Sequence, residues 1–178
     1  MAIKSAISIA LLSLIVVYFW NPFGAPSWGA MARFAGRQHF KTPGQGMQPT
    51  FGPGSNVLIC FNAFKERRPE VNDIVVFRVP GDEQLMFLKR VAAVAGSTIE
   101  IRDAVLLVDG HVVTSPFWQA GEQPSPYSTT LAPTRVPPES FFALGDNLEQ
   151  SIDSRRVGTV PVANVIGGLC DGGLGTKE

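Results

Sequence analysis

The chain has 178 residues, enough for one domain with a hydrophobic core and a membrane anchor besides. Its 15 Lys and Arg balance 15 Asp and Glu, and no basic stripe runs along it, so nothing recommends a nucleic-acid partner. Two cysteines, Cys60 and Cys170, and two histidines, His39 and His111, stand far apart and outside any CxxC; they make neither a disulfide scaffold nor a metal site, and the cysteines are expected to stay unpaired.

Residues 5–20, SAISIALLSLIVVYFW, carry no charge, no Gly and no Pro. With Asn21, Pro22 and Phe23 the run approaches the ~20 residues that span a bilayer. Tyr18, Phe19, Trp20 and Trp28 supply an interfacial aromatic band. Residues 1–23 are therefore expected to form one N-terminal transmembrane helix. The competing reading is a cleaved signal peptide ending at Ala30-Met31-Ala32, but that site lies far beyond the apolar run. Lys4 on one side and Arg33, Arg37 and Lys41 on the other leave the orientation open. Residues 24–32, rich in Gly, Ala, Pro and Ser, read as a linker.

From residue 33 to 178 the pattern is of short strands and turns, in keeping with 18 Gly and 14 Pro. A first strand falls within 33–41, followed by a turn at 42–48. Val57-Leu58-Ile59-Cys60-Phe61 is an apolar strand and 65–72 a charged loop. A strand over 73–79 ends at Pro80-Gly81-Asp82, and another over 85–94 ends at Gly96. Strands follow at 99–101 and 105–108, with Asp109-Gly110 as a hairpin turn into His111-Val112-Val113. Residues 116–138 read as a long surface loop. Phe141-Phe142-Ala143-Leu144 is a strand, 145–158 a polar loop, and Val165-Ile166-Gly167 a last strand. The fold class is mainly β behind one helix.

Three segments carry chemistry. Lys89 sits inside an apolar run. A buried ammonium loses solvation, its pKa falls, and the neutral amine can act as a base on a hydroxyl. Taken alone, a lysine that snorkels to solvent is the plainer reading. Arg90 points to the other face of the strand, so one of the two turns inward. The second segment, Gly145 to Arg155, is dense in Asp, Asn and Ser; Asp153 and Arg155 share a face of an extended chain and can pair, or the loop merely caps itself. The third, Pro43-Gly44-Gln45-Gly46, is by itself an ordinary turn.

In combination these segments resemble the type I signal peptidase family, the S26-type endopeptidases with a Ser/Lys dyad. Its Ser-Met-x-Pro-Thr motif is similar to Gly46-Met47-Gln48-Pro49-Thr50, and its Lys-Arg-Val strand to Lys89-Arg90-Val91 with Gly96 after it. Its Gly-Asp-Asn-x-x-x-Ser-x-Asp-Ser-Arg motif is similar to the run from Gly145 through Asp146, Asn147, Ser151, Asp153 and Ser154 to Arg155. Asp73-Ile74-Val75-Val76-Phe77 and Val136-Pro137-Pro138 also match.

The resemblance implies a coiled β-sheet domain at 33–178, cleavage of preprotein signal peptides at Ala-x-Ala-like sites, and no cofactor or metal. It implies Lys89 as general base, held by a hydrogen bond from Ser151. Asp153 with Arg155 would brace the loop, Asp146 and Asn147 would support it, and Gly44 and Gly46 would line the oxyanion region. The partners would be signal peptides and the lipid bilayer, which Phe51, Phe61 and Phe64 would approach. The place would be the cytoplasmic membrane of a bacterium, with the β domain outside. Position 46 departs from the motif: glycine replaces the nucleophilic serine, so no acyl-enzyme forms there. Thr42, Thr50 and Ser55 are the nearby hydroxyls. Two readings result, a signal peptidase with little turnover as written and a non-catalytic factor that binds signal-peptide- or pilin-like segments; a purely structural tethered β domain is a third.

Overall fold

The computed structural model describes residues 36–118 and 126–170. The expected anchor and linker lie outside these residues; among those described, no helix is long and apolar enough to cross a membrane. The chain divides into compact units Met1–Gln38 and His39–Glu178, and apart from the start of the first strand the described elements belong to the second.

The strands are β1 (Arg37–Lys41), β2 (Asn56–Cys60), β3 (Ile74–Val79), β4 (Asp82–Val94), β5 (Thr98–Arg102), β6 (Val105–Val108), β7 (His111–Val112), β8 (Leu131–Arg135), β9 (Ser140–Leu144), β10 (Val160–Pro161) and β11 (Val165–Leu169). Two one-turn α-helices, α1 (Pro126–Thr129) and α2 (Ser154–Val157), and a 3-10 turn at Val162–Asn164 interrupt them. One sheet has the order β1-β2-β11-β3-β4-β9-β10 and a second the order β7-β6-β5-β8.

β3 lies in the middle of the large sheet and is apolar at nearly every position because both its faces are covered. Side chains alternate sides along a strand, and those of β3 divide accordingly. Ile74 and Val76 join Met47, Phe51, Val57 and Ile59 in one apolar cluster. Val75 and Phe77 join Val91, Phe141, Ala143 and Val160 in another. A third cluster contains Ile99, Ile101 and Leu106 of the small sheet together with Phe142, Leu144 and Trp118.

The turns obey their sequences. Asp109 and Gly110 both have positive φ (51° and 78°) and close β6 onto β7 with Val108 opposite His111, the backbone that Asp-Gly favours in a two-residue hairpin. Pro80-Gly81 likewise does more than end a strand: Val79 pairs with Asp82, so β4 already begins at Asp82.

Three expectations are corrected. Residues 116–138 are not all loop: β8 pairs with β5, and Trp118 and Val136 are buried. Leu-Ala-Pro-Thr-Arg lacks alternation because β8 is a largely exposed strand with one neighbour, a place where Pro is tolerated. Cys60 and Cys170 do pair, with Cα atoms 5.1 Å apart. Gly168 of β11 lies opposite Cys60 of β2, which brings residues 110 apart in sequence to one place. Phe51 is 5% exposed within the core, so it is not part of a lipid-facing surface; Phe61 and Phe64 are half-buried.

Candidate active site

Position 46 is held from both sides. Met47, the next residue, is buried in the cluster under β3, and the turn closes with Gln48 N donating to Gln45 O and Phe51 N to Met47 O. From the other side, Asn147 N donates to the Gly46 carbonyl. That approach needs glycine at 145. A Cβ there would stand 2.3 Å from Gly46 O and 2.1 Å from Ser151 Oγ, which only glycine avoids.

The loop after β9 is fastened by one carboxylate. Asp153 caps α2, accepting from Arg155 N, and its Oδ2 accepts from Gly145 N at 3.0 Å. Arg155 forks onto it with two 2.8 Å bonds and also donates to Leu148 O and Ser151 O. The expected Asp153–Arg155 pair therefore forms, across a helix N-terminus rather than along an extended chain. Asn147 Oδ1 accepts from Glu149 N and Gln150 N and folds the loop's tip.

Lys89 and Arg90 are 8% and 6% exposed, so both turn into protein, each on its own side of β4. Arg90 meets Asp146 with two 2.8 Å bonds. It also donates to Asn72 O and Thr50 Oγ1 and stacks 3.9 Å from the Phe117 ring centre. Thr50 Oγ1 donates to Asp146 as well. Lys89 has no such clamp: its Nζ lies 5.3 Å from the Phe87 ring centre and makes no hydrogen bond to a described residue. Burial pulls its pKa below the ordinary 10.5; Asp153 and Asp146 pull upward, and Arg155 adds to the lowering. Burial prevails because each carboxylate is already neutralised by its own arginine.

The Cβ position of residue 46 falls 3.4 Å from Lys89 Nζ. The motifs at 46, 89 and 145–155, separate in sequence, thus meet at one point. The hydrogen bond expected from Ser151 to Lys89 is not made: Ser151 Oγ is buried and has no partner among the described residues. Thr42 Oγ1 donates to Gly52 O and Thr50 Oγ1 to Asp146, so neither hydroxyl turns toward position 46. No described residue comes within 4 Å of the Cβ position of Gly44.

A groove of about 290 Å³ lies at this point, lined by residues 40–47 and by Met86, Leu88, Lys89 and Ile152 among others, and its lining is mostly apolar. Among the described residues no cluster of His, Cys, Asp or Glu is arranged to hold a metal. Sequence reading missed Arg90 as the partner of Asp146, and Phe117 and Thr50 as its further contacts. The one available signal was a second cation directly after Lys89 in an apolar strand.

The protein-family model described as "Signal peptidase, peptidase S26" matches residues 2–169. The chain is 32% identical over 143 residues to signal peptidase I V of Bacillus subtilis, covering 74% of this chain and 83% of that one. It is 33% identical over 135 residues to thylakoidal processing peptidase 1 of Arabidopsis thaliana, covering 70% of this chain. The match spans little over a third of that relative's length, 38%, and 35% of the probable thylakoidal processing peptidase 2. The crystal structure of a signal peptidase I from Enterococcus faecalis superposes with a TM-score of 0.50 at 27% identity, over 58% of this chain and 98% of that one. Motifs, fold and relatives agree that the chain belongs to the S26 signal peptidase family.

Proposed function

We propose that the chain is a single-pass membrane protein whose groove receives signal peptides of exported preproteins at Ala-x-Ala-like sites, and that its catalytic site lacks one group, the hydroxymethyl of a serine at position 46. One observation carries this reading: the Cβ position of Gly46 lies 3.4 Å from the Nζ of a buried lysine. That is ordinary contact distance, and Gly46 is not among the glycines with positive φ. A serine therefore fits, with its hydroxyl in reach of the amine. Lys89 would take the hydroxyl proton as the oxygen attacks the scissile carbonyl, and return it to the leaving amine. Backbone N–H groups of the 44–46 turn are candidates to receive the oxyanion.

The Cys60–Cys170 bond supports a place on the outer side of a bacterial cytoplasmic membrane, since disulfides persist in oxidising compartments. The apolar run at 5–20 supports the anchor. A factor that only binds, with no catalytic past, has no use for a buried amine without a hydrogen-bond partner among the described residues, since such burial costs stability.

The test is cleavage of a preprotein bearing an Ala-x-Ala site. Gly46→Ser is expected to cleave about 10⁶-fold faster than the unmodified chain, the order of loss seen when a serine nucleophile is removed. Adding Lys89→Ala to it should abolish that gain. A Gly46→Ser chain that binds the peptide but does not cleave it would make the protein a binding factor instead.

A further inference from the structure

Glycine at position 46 leaves a space with chemistry around it. The point a Cβ would take lies 3.4 Å from Lys89 Nζ, 3.4 Å from the Gln150 carbonyl oxygen and 3.4 Å from Ser151 Cα. Gln150 O accepts no hydrogen bond from a described residue. Ser151 Oγ stands beside Gly46, since it and Gly46 O both press on Gly145. An amine and a carbonyl thus converge on the open side of Gly46. An ordered water needs about 2–4 polar partners, and the amine and the carbonyl supply two.

We propose that the space beside Gly46 seats a water molecule and that Lys89 activates this water as the nucleophile, so that the chain hydrolyses signal peptides directly, without a covalent intermediate. The inference rests on the reading that the groove receives signal peptides. The water oxygen bonds to the scissile carbonyl carbon while its proton passes to the neutral Lys89 Nζ. The tetrahedral species then collapses and the C–N bond breaks. Its electron pair leaves with the amine nitrogen, which takes the proton back from Nζ. The products are the free carboxyl of the signal peptide and the free amine of the mature protein. Gln150 O receives the water's second hydrogen and so turns a lone pair toward the substrate. The step is slow because a water is held less firmly than a serine bonded to the turn.

The inference makes glycine, not merely the absence of serine, the working residue. Gly46→Ala puts a methyl between Gly46 Cα and the water, at ordinary contact distances from the protein, so it displaces the water and should leave the fold intact. With the full chain in detergent micelles and a fluorogenic Ala-x-Ala peptide, the unmodified chain is expected to cleave slowly. Gly46→Ala should lose on the order of 10²-fold of that rate, the scale of general-base assistance, and Lys89→Met should lose as much. Anisotropy with an uncleavable analogue should show peptide binding by Gly46→Ala within a few-fold of the unmodified chain. Hydroxylamine in the assay should divert product to hydroxamate for Gly46→Ser, which forms an ester, and not for the unmodified chain. Equal cleavage by the unmodified chain and Gly46→Ala, or hydroxamate from the unmodified chain, overturns the proposal. So does an unmodified chain that binds the peptide and never cleaves it while Gly46→Ser does; the functional reading then stands. If no form binds the peptide, both fall.

Discussion

At its midpoint β4 has two faces with opposite electrostatic designs. On one, Arg90 is fully answered: a bidentate carboxylate, a backbone carbonyl, a hydroxyl and an aromatic ring surround it. On the other, Lys89 is buried to the same degree and has no hydrogen-bond partner among the described residues. Both carboxylates that attract Lys89, Asp153 and Asp146, are spent on arginines. A permanent guanidinium needs its partner to be buried at all, whereas an amine can shed its proton instead. The contrast separates a charge held by its partners from a charge that burial suppresses.

The largest effect expected from this contrast is on turnover. Supplying Gly46→Ser on the Lys89 face should raise cleavage about 10⁶-fold, and no substitution on the Arg90 face should produce a comparable gain. Next comes stability. Arg90→Met leaves Asp146 buried without its countercharge and is expected to cost about 3–5 kcal/mol in denaturant unfolding. Adding Asp146→Leu should recover most of it, because replacing both members of a buried pair is often neutral. Lys89→Met, by contrast, should be neutral or stabilising at pH 7. If the two single variants lose equal stability, the faces are not different in kind. The disulfide provides a yardstick away from β4: it closes a loop of 110 residues, and its reduction should cost about 4–5 kcal/mol in the same assay without changing the order of the two faces.

How much of this was legible in the sequence depends on the same physics. β3 and the Asp109-Gly110 hairpin were readable because an apolar run and a positive-φ turn are local properties. β8 was not, since a mostly exposed strand needs no apolar alternation and carries a proline. The candidate site residues 46, 89, 146, 153 and 155 were singled out through motif order, not through pattern. Their meeting at one point depends on the register of β4 against β9, Arg90 opposite Leu144, which sets the 145–155 loop beside Lys89. The Arg90–Asp146 clamp and the disulfide escaped for a related reason: each joins residues distant in sequence, and nothing local marks such a partner.

The smallest effect is the most direct measure of the suppressed charge. In the unfolded chain Lys89 titrates at the ordinary lysine value, 10.5, and in the folded chain below it. Between the two values the unfolded state binds more protons than the folded one, so unfolding free energy rises with pH. Below the folded value both states are protonated, and the cost of burying the ammonium is felt in full. Near 10.5 the unfolded chain also gives up its proton and the rise ends. One proton sets a ceiling of about 1.4 kcal/mol per pH unit on the slope. Unfolding curves in urea from about pH 6 to 10.5 should therefore show stability climbing toward the alkaline end relative to Lys89→Met. The cleavage rate of Gly46→Ser should climb as pH approaches the folded value and level off above it, where stability begins to rise, because the amine acts as a base only when neutral. Parallel pH profiles for the unmodified chain and Lys89→Met would mean that Lys89 keeps its proton in the fold, and the distinction between the two faces would be lost.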